Sequence, residues 1–145
     1  MKSVNYPIRK IYHTALSGIT LNSVAIKNFY QKAPDDISDN YYIVFGGVSN
    51  DDVSNKTVPE TQTSMRVTIH THQLKYNDGQ AADDIAGQVF DALYPDAHTR
   101  ADMSADGLQL VDTRLSSDIT QDYNIQNARE YLDRILIFSH RIAHQ

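Results

Sequence analysis

Residues 65–72 read M-R-V-T-I-H-T-H, and the alternation within this stretch decides how the chain is laid out. Successive side chains of a β-strand face opposite ways, so Met65, Val67, Ile69 and Thr71 point to one side, and Arg66, Thr68, His70 and His72 to the other. The first set is predicted to face a core and the second to face outward. His70 and His72 then share a face and could in principle chelate a metal. Two considerations count against it. Arg66 stands on the same face, where a fixed cation opposes a divalent ion, and a zinc site needs at least a third ligand. His98, His140 and His144 are available, but no spacing ties them to this strand. An H-x-x-x-H pair chelates from a helix, whereas Ile135–Ile142 reads as a strand. We therefore expect no bound metal.

Upstream, Tyr41–Val48 (Y-Y-I-V-F-G-G-V) packs β-branched and aromatic residues into an unbroken run and reads as a strand. Its Gly46-Gly47 pair predicts a bulge or a close backbone approach. The polar segment Ser49–Ser64 between the two strands is too long for a tight hairpin turn and reads as a loop. Further upstream, Val4, Ile8, Ile11, Tyr12, Ala15 and Leu16 keep the spacing of one helix face, with Pro7 in the first turn and Gly18 as C-terminal cap. His13 falls on the polar side of that helix. Ser23–Tyr30 reads as a short strand and Ala33–Asn40 as a loop.

Downstream, Ala82, Ile85, Ala86, Val89, Phe90 and Leu93 form the apolar stripe of a second helix. Asn77 or Asp78 is placed to cap it, Asp83 and Asp84 to suit its dipole, and Tyr94-Pro95 to end it. Residues 97–107 read as a polar connection, Leu108–Thr113 as a short strand, and Ser116–Asn127 as another long polar loop. In the closing strand, Ile135–Phe138 is apolar at every position and wants cover on both faces. Together these elements make one α+β domain over residues 1–145, with a four- to five-stranded, mainly antiparallel sheet packed by two helices.

Composition excludes several classes. The 145 residues include no cysteine, so neither a disulfide framework nor a thiolate zinc site can form. No apolar run reaches the length of a membrane span, and the first residues lack a signal-peptide core. A cytosolic site of synthesis is expected, which makes Asn55-Lys56-Thr57 a chance glycosylation sequon. A net charge of −5 argues against a nucleic-acid-wrapping domain. The sequence contains no G-x-S-x-G elbow, P-loop or dinucleotide fingerprint. Accordingly we expect no catalytic residues and no cofactor.

The order of elements resembles the tail terminator or tail completion proteins of long-tailed bacteriophages. The likeness is carried by a short strand leading to Ala33-Pro34, then Tyr41–Phe45 preceded by Asn40, where that family often has proline. Next come Arg66-Val67 opening a strand, the Ala81–Leu93 helix, and a closing strand beginning near Arg134. The segments at Ser49–Ser64 and Ser116–Glu130 are longer than in the leanest relatives. The resemblance implies a non-enzymatic virion protein, assembled in the host bacterial cytoplasm. Such proteins form a homo-oligomeric, hexameric ring that ends tail-tube polymerisation. The implied partners are further copies of itself, the tail tube protein, and a head completion or connector protein. DNA would pass through the bore without specific binding. Competing readings are another ring of the phage neck, such as a head completion or stopper protein, and a small metal-dependent hydrolase using His70 and His72.

A ring that joins two assemblies should make its contacts through segments that an isolated domain does not need. Within Ser49–Ser64, Asp51, Asp52, Asn55, Lys56 and Glu60 offer charge and hydrogen bonds, and Val53 and Val58 offer small apolar anchors. These seven are the expected assembly contacts.

Overall fold

In the computed structural model, residues 2–73, 79–93, 102–125 and 129–145 are described. The elements run α1 (Asn5–Leu16), β1 (Thr20–Leu21), β2 (Val24–Ala25), β3 (Lys27–Tyr30), β4 (Tyr41–Asp52), β5 (Glu60–Gln73), α2 (Gln80–Leu93), a 3-10 turn at Ser104–Asp106, β6 (Leu108–Ile125) and β7 (Arg129–His144). Strands β3 to β7 form one sheet in the order β3-β4-β5-β7-β6. Only β3 runs parallel to its neighbour; the other pairings are antiparallel. This is the α+β arrangement expected.

Both helices lie on one face of the sheet, and the core forms between. Ile8, Tyr12 and Leu16 of α1 and Ile85, Ala86 and Val89 of α2 meet Ile43, Phe45, Met65, Val67, Ile69, Leu136 and Phe138 from the strands. The 65–72 alternation holds: Met65, Val67, Ile69 and Thr71 are fully buried. Phe90 and Leu93 pack only at the margin of this cluster, as does Ile11. Arg134, on the same face, anchors α2 to the sheet. Its guanidinium donates to Asp83 at 2.7 Å and to Asp118 at 3.0 and 2.8 Å. Asp83 is therefore an ion-pair partner as well as a first-turn acid; Asp84 is exposed.

Gly46-Gly47 forms the bulge expected of it, because the β4–β5 register shifts between Gly46 and Ser49. It is also a close approach, since a Cβ on Gly46 would lie 3.3 Å from the Gln31 backbone. The remainder of the Ser49–Ser64 reading is corrected. Ser49–Asp52 pairs with Thr61–Ser64 in a regular ladder, which leaves only residues 53–59 as the connection. Likewise Ser116–Ile125, read as loop, belongs to β6 and pairs along β7. Ser49–Asp52 is polar throughout, and Ser116–Asp122 is polar except for Ile119, so neither begins with the apolar alternation that marks a half-buried strand, yet both extend ladders begun by apolar residues.

Two smaller expectations also change. Helix α1 closes on Ser17, whose amide and hydroxyl both donate to the His13 carbonyl, so Gly18 is not its cap. Ser23–Tyr30 divides into two strands. Val24–Ala25 pairs with Thr20–Leu21 in a small hairpin turned by Asn22 and Ser23, both at positive φ, while Lys27–Tyr30 joins the main sheet. The Gln88 side chain on α2 holds this hairpin through Thr20, accepting from its amide at 3.0 Å and donating to its carbonyl at 2.6 Å. The cap at Asn77 or Asp78, the stop at Tyr94-Pro95 and His98 lie outside the described residues.

His140 sits in the core at 2 % exposure, so it is no partner for His70 and His72 across the sheet. Its Nε2 bonds the buried Tyr12 hydroxyl, and its Nδ1 meets Thr113 Oγ1 at 2.9 Å. With Phe138 and Phe45 it surrounds the Tyr12 ring, at centroid distances of 5.5 to 6.3 Å. Burial pushes its pKa down to about 4.

Two predictions follow from this core. Ile85→Ala should cost about 2 to 5 kcal/mol, the range for a fully buried aliphatic, while Phe90→Ala should cost less than the about 3 to 5 kcal/mol of a buried aromatic. Urea denaturation of both variants checks the ranking. His140 is neutral in the fold but titrates near 6.5 once unfolded. Its contribution is fully present above pH 6.5 and is lost as pH falls towards about 4. At about 1.4 kcal/mol per pKa unit the loss is of order 3 kcal/mol. His140→Gln should flatten this part of the stability–pH curve.

Candidate functional site

Two parts of the molecule present chemistry that the core does not use. The first is the tip of the β4–β5 hairpin. Beyond the last ladder pair, Asp52↔Thr61, the connection turns on Asn55. Asn55 Oδ1 accepts from the Thr57 and Val58 amides at 2.9 and 2.7 Å, and the Asn55 amide donates to the Val58 carbonyl at 3.1 Å. Asp52 Oδ1 accepts from the Ser54 amide at 2.9 Å, and hydrogen bonds from the Ser54 side chain and backbone lower the Asp52 pKa. Asn and Asp fold such a turn because their short carboxamide and carboxylate groups mimic a backbone acceptor.

Of the seven expected contact residues, Asp51, Asp52, Val53, Asn55 and Lys56 are exposed and Val58 is half-buried. Glu60 differs, being 8 % exposed, and its Oε2 accepts from Arg141 Nε at 2.6 Å. The tip is further tied to the end of β7. The His144 amide donates to the Pro59 carbonyl at 2.9 Å, and His144 Nε2 meets Thr61 Oγ1 at 2.8 Å. Burial, then the N-terminal amine and Lys2, lower the His144 pKa. The segment is thus bound to its own fold along most of its length.

The second part is the sheet face away from the helices. Register places Tyr42, His70 and Asp133 in one row across β4, β5 and β7, with His72 opposite Tyr131 in the adjacent β5–β7 pair. His70 Nδ1 lies 2.8 Å from Asp133 Oδ1, with the side chains 21 % and 10 % exposed. Tyr42 stacks on His70 at a centroid distance of 4.6 Å, and Tyr131 meets the His72 ring edge-on at 4.1 Å. Burial, then the negative charge of Asp133 and the proximity of Tyr131, raise the Tyr42 pKa and keep its hydroxyl protonated. One donor atom from each of His70, His72 and Asp133 lies within 4.8 Å of the other two.

Arg66 stands too far off to oppose a cation at this cluster. Arg66 is four residues from His70 along the same strand, roughly 13 Å at about 3.3 Å per residue. Sequence reasoning missed Asp133 altogether, because only the β5–β7 register brings it to His70, and no local pattern encodes that pairing. The same face carries apolar side chains. Phe29, Val44, Ile135 and Ile137 are half-buried, and Ile119 is 48 % exposed. No helix among the described residues covers them.

No family model matches the chain, and no curated protein matches it. Among solved structures it is similar to a chain from the virion of a native gene transfer agent particle. The TM-score is 0.66 at 15 % sequence identity, over 98 % of this chain and 99 % of that one. The two chains share a fold from end to end.

The hairpin geometry separates two roles for its acidic and basic residues. Glu60→Ala should lower stability by about 1.5 to 3 kcal/mol, because it removes charge-assisted bonds at a buried position. Lys56→Ala should stay within about 0.5 kcal/mol of the parent. Thermal unfolding of the two variants checks the difference.

Proposed function

We propose that this chain is a structural protein of a phage-like virion, forming a ring at the head-proximal end of the tail tube. There it ends tube polymerisation and joins the tail to the head connector. The observation that carries this reading is the end-to-end fold likeness to a chain from a gene transfer agent virion. It agrees with the order of elements that resembles tail terminator proteins.

Features of the molecule support an assembly role. The sheet face away from the helices presents Phe29, Val44, Ile135, Ile137 and Ile119 without helix cover among the described residues, which suits contact with a neighbouring copy or a partner protein. Beyond the core, the β4–β5 hairpin projects a tip whose exposed Asp51, Asp52, Val53, Asn55 and Lys56 are available to an adjoining ring. The net charge of −5 suits a bore through which DNA slides without sticking. The partners on this reading are other copies of the chain, a tail tube protein and a head completion or connector protein. Binding is its function, and no step requires catalysis.

Deletion of the gene from a producing cell tests the proposal. The expected result is unjoined heads together with tails of unregulated length, restored to normal particles by the parent gene. Restoration by a gene in which residues 53–59 are replaced with a short Gly-Ser turn should fail, although that chain folds. Tailed particles at normal yield from the deletion strain would overturn the reading.

A further inference from the structure

We propose that His70, His72 and Asp133 form a binding site for one zinc ion on the sheet face away from the helices. The donor set is two imidazoles and one carboxylate, a combination that zinc accepts with a fourth position left open. Metal–ligand distances of about 2.0 to 2.2 Å place neighbouring ligands about 3 to 3.5 Å apart. In the structure His70 Nδ1 and Asp133 Oδ1 are 2.8 Å apart, and no donor of the three is more than 4.8 Å from another. The observed separations bracket those a zinc ion requires, so side-chain shifts of about an ångström complete the site without backbone movement.

The backbone fixes this arrangement. His70 and His72 project from one strand on the same face, and Asp133 is the register partner of His70 on the next. Tyr42 stacked on His70, and Tyr131 against His72, limit how far the two rings can turn. The hydrogen bond between His70 Nδ1 and Asp133 is replaced on binding: the neutral ring changes tautomer, Nδ1 giving its proton to solvent as Nε2 takes one, and the lone pairs of Nδ1 and the carboxylate turn to the ion. His70 and His72 are half-buried on the outer face, so an ion can enter from that side to reach the buried Asp133. The site belongs to the single chain and stands independently of the ring reading.

Untagged, chelator-treated protein titrated with Zn²⁺ by calorimetry, and with Co²⁺ by visible absorption, provides the test. One saturable site per chain is expected, with the intense visible bands of low-coordinate cobalt. His72→Gln and Asp133→Asn should each weaken binding at least tenfold, and the His70→Gln, His72→Gln double variant should abolish it. His13→Gln, on the polar side of α1, should bind as the parent does. Circular dichroism establishes that each variant is folded; should Asp133→Asn fail to fold, the two histidine variants carry the test. The proposal is overturned if no saturable binding occurs at one ion per chain, in which case the cluster is a hydrogen-bonded patch only. Equally, binding that survives the double variant would place the ion elsewhere and overturn it.

Discussion

Strand β5 lies in the middle of the sheet and pairs with β7 without interruption, from Glu60↔Ala143 to Gln73↔Glu130. Everything else depends on that register. A slip of one residue turns every side chain of a strand to the opposite face. Met65, Val67 and Ile69 would then leave α1 and α2, and His70 and His72 would be driven into the core. The energetic penalty is large because those three apolar side chains are fully buried and Arg66, Thr68, His70 and His72 would turn inward in their place. The same register aligns Arg134 with α2, seats His140 beneath Tyr12, and sets Asp133 beside His70. Core, helix anchor and outer cluster are consequences of one alignment.

The parts of this arrangement that could be read in the sequence are those where burial alternates over a short distance. Met65–His72 announces both its strand and its inward face, and Ala82–Val89 announces the inner stripe of α2. Gly46-Gly47 marks its bulge because a Cβ on Gly46 would lie 3.3 Å from the Gln31 backbone and Gly47 takes a φ of +64° that side chains disfavour. The hidden parts are those whose structure comes from a partner far along the chain. Ser49–Asp52 carries no apolar period and Ser116–Ile125 only a broken one, and both are strands because β5 and β7 lie beside them. Their length and polarity suggested loops for sound local reasons.

The candidate sites divide in the same way. Exposure of Asp51, Asp52, Val53, Asn55 and Lys56 was readable from composition, since nothing in that stretch could have built a core. The ion pair of Glu60 has no local signal, because its partner Arg141 lies 81 positions away. His140 is available as a ligand by sequence alone, and only the distant Tyr12 and Thr113, from α1 and β6, on either side of its ring commit it to the core. Asp133 had no local signal at all. A pairing of distant strands is a property of the whole chain, and a reading that moves residue by residue meets it last.

The outermost strand, β6, has a consequence for how the chain behaves before it meets any partner. Eighteen residues long, it leaves one edge of the sheet unpaired among the described residues, the kind of edge on which stray strands add and polymers grow. Two register shifts, between Leu110 and Asp112 and between Leu115 and Ser117, break the evenness of that edge. Bulges of this sort bend and twist a strand locally. Asp112, Arg114 and Asp118 add charges of both signs along it. An incoming strand therefore finds an irregular, charged template instead of a flat one, and the chain is guarded against indiscriminate fibre formation at high local concentration.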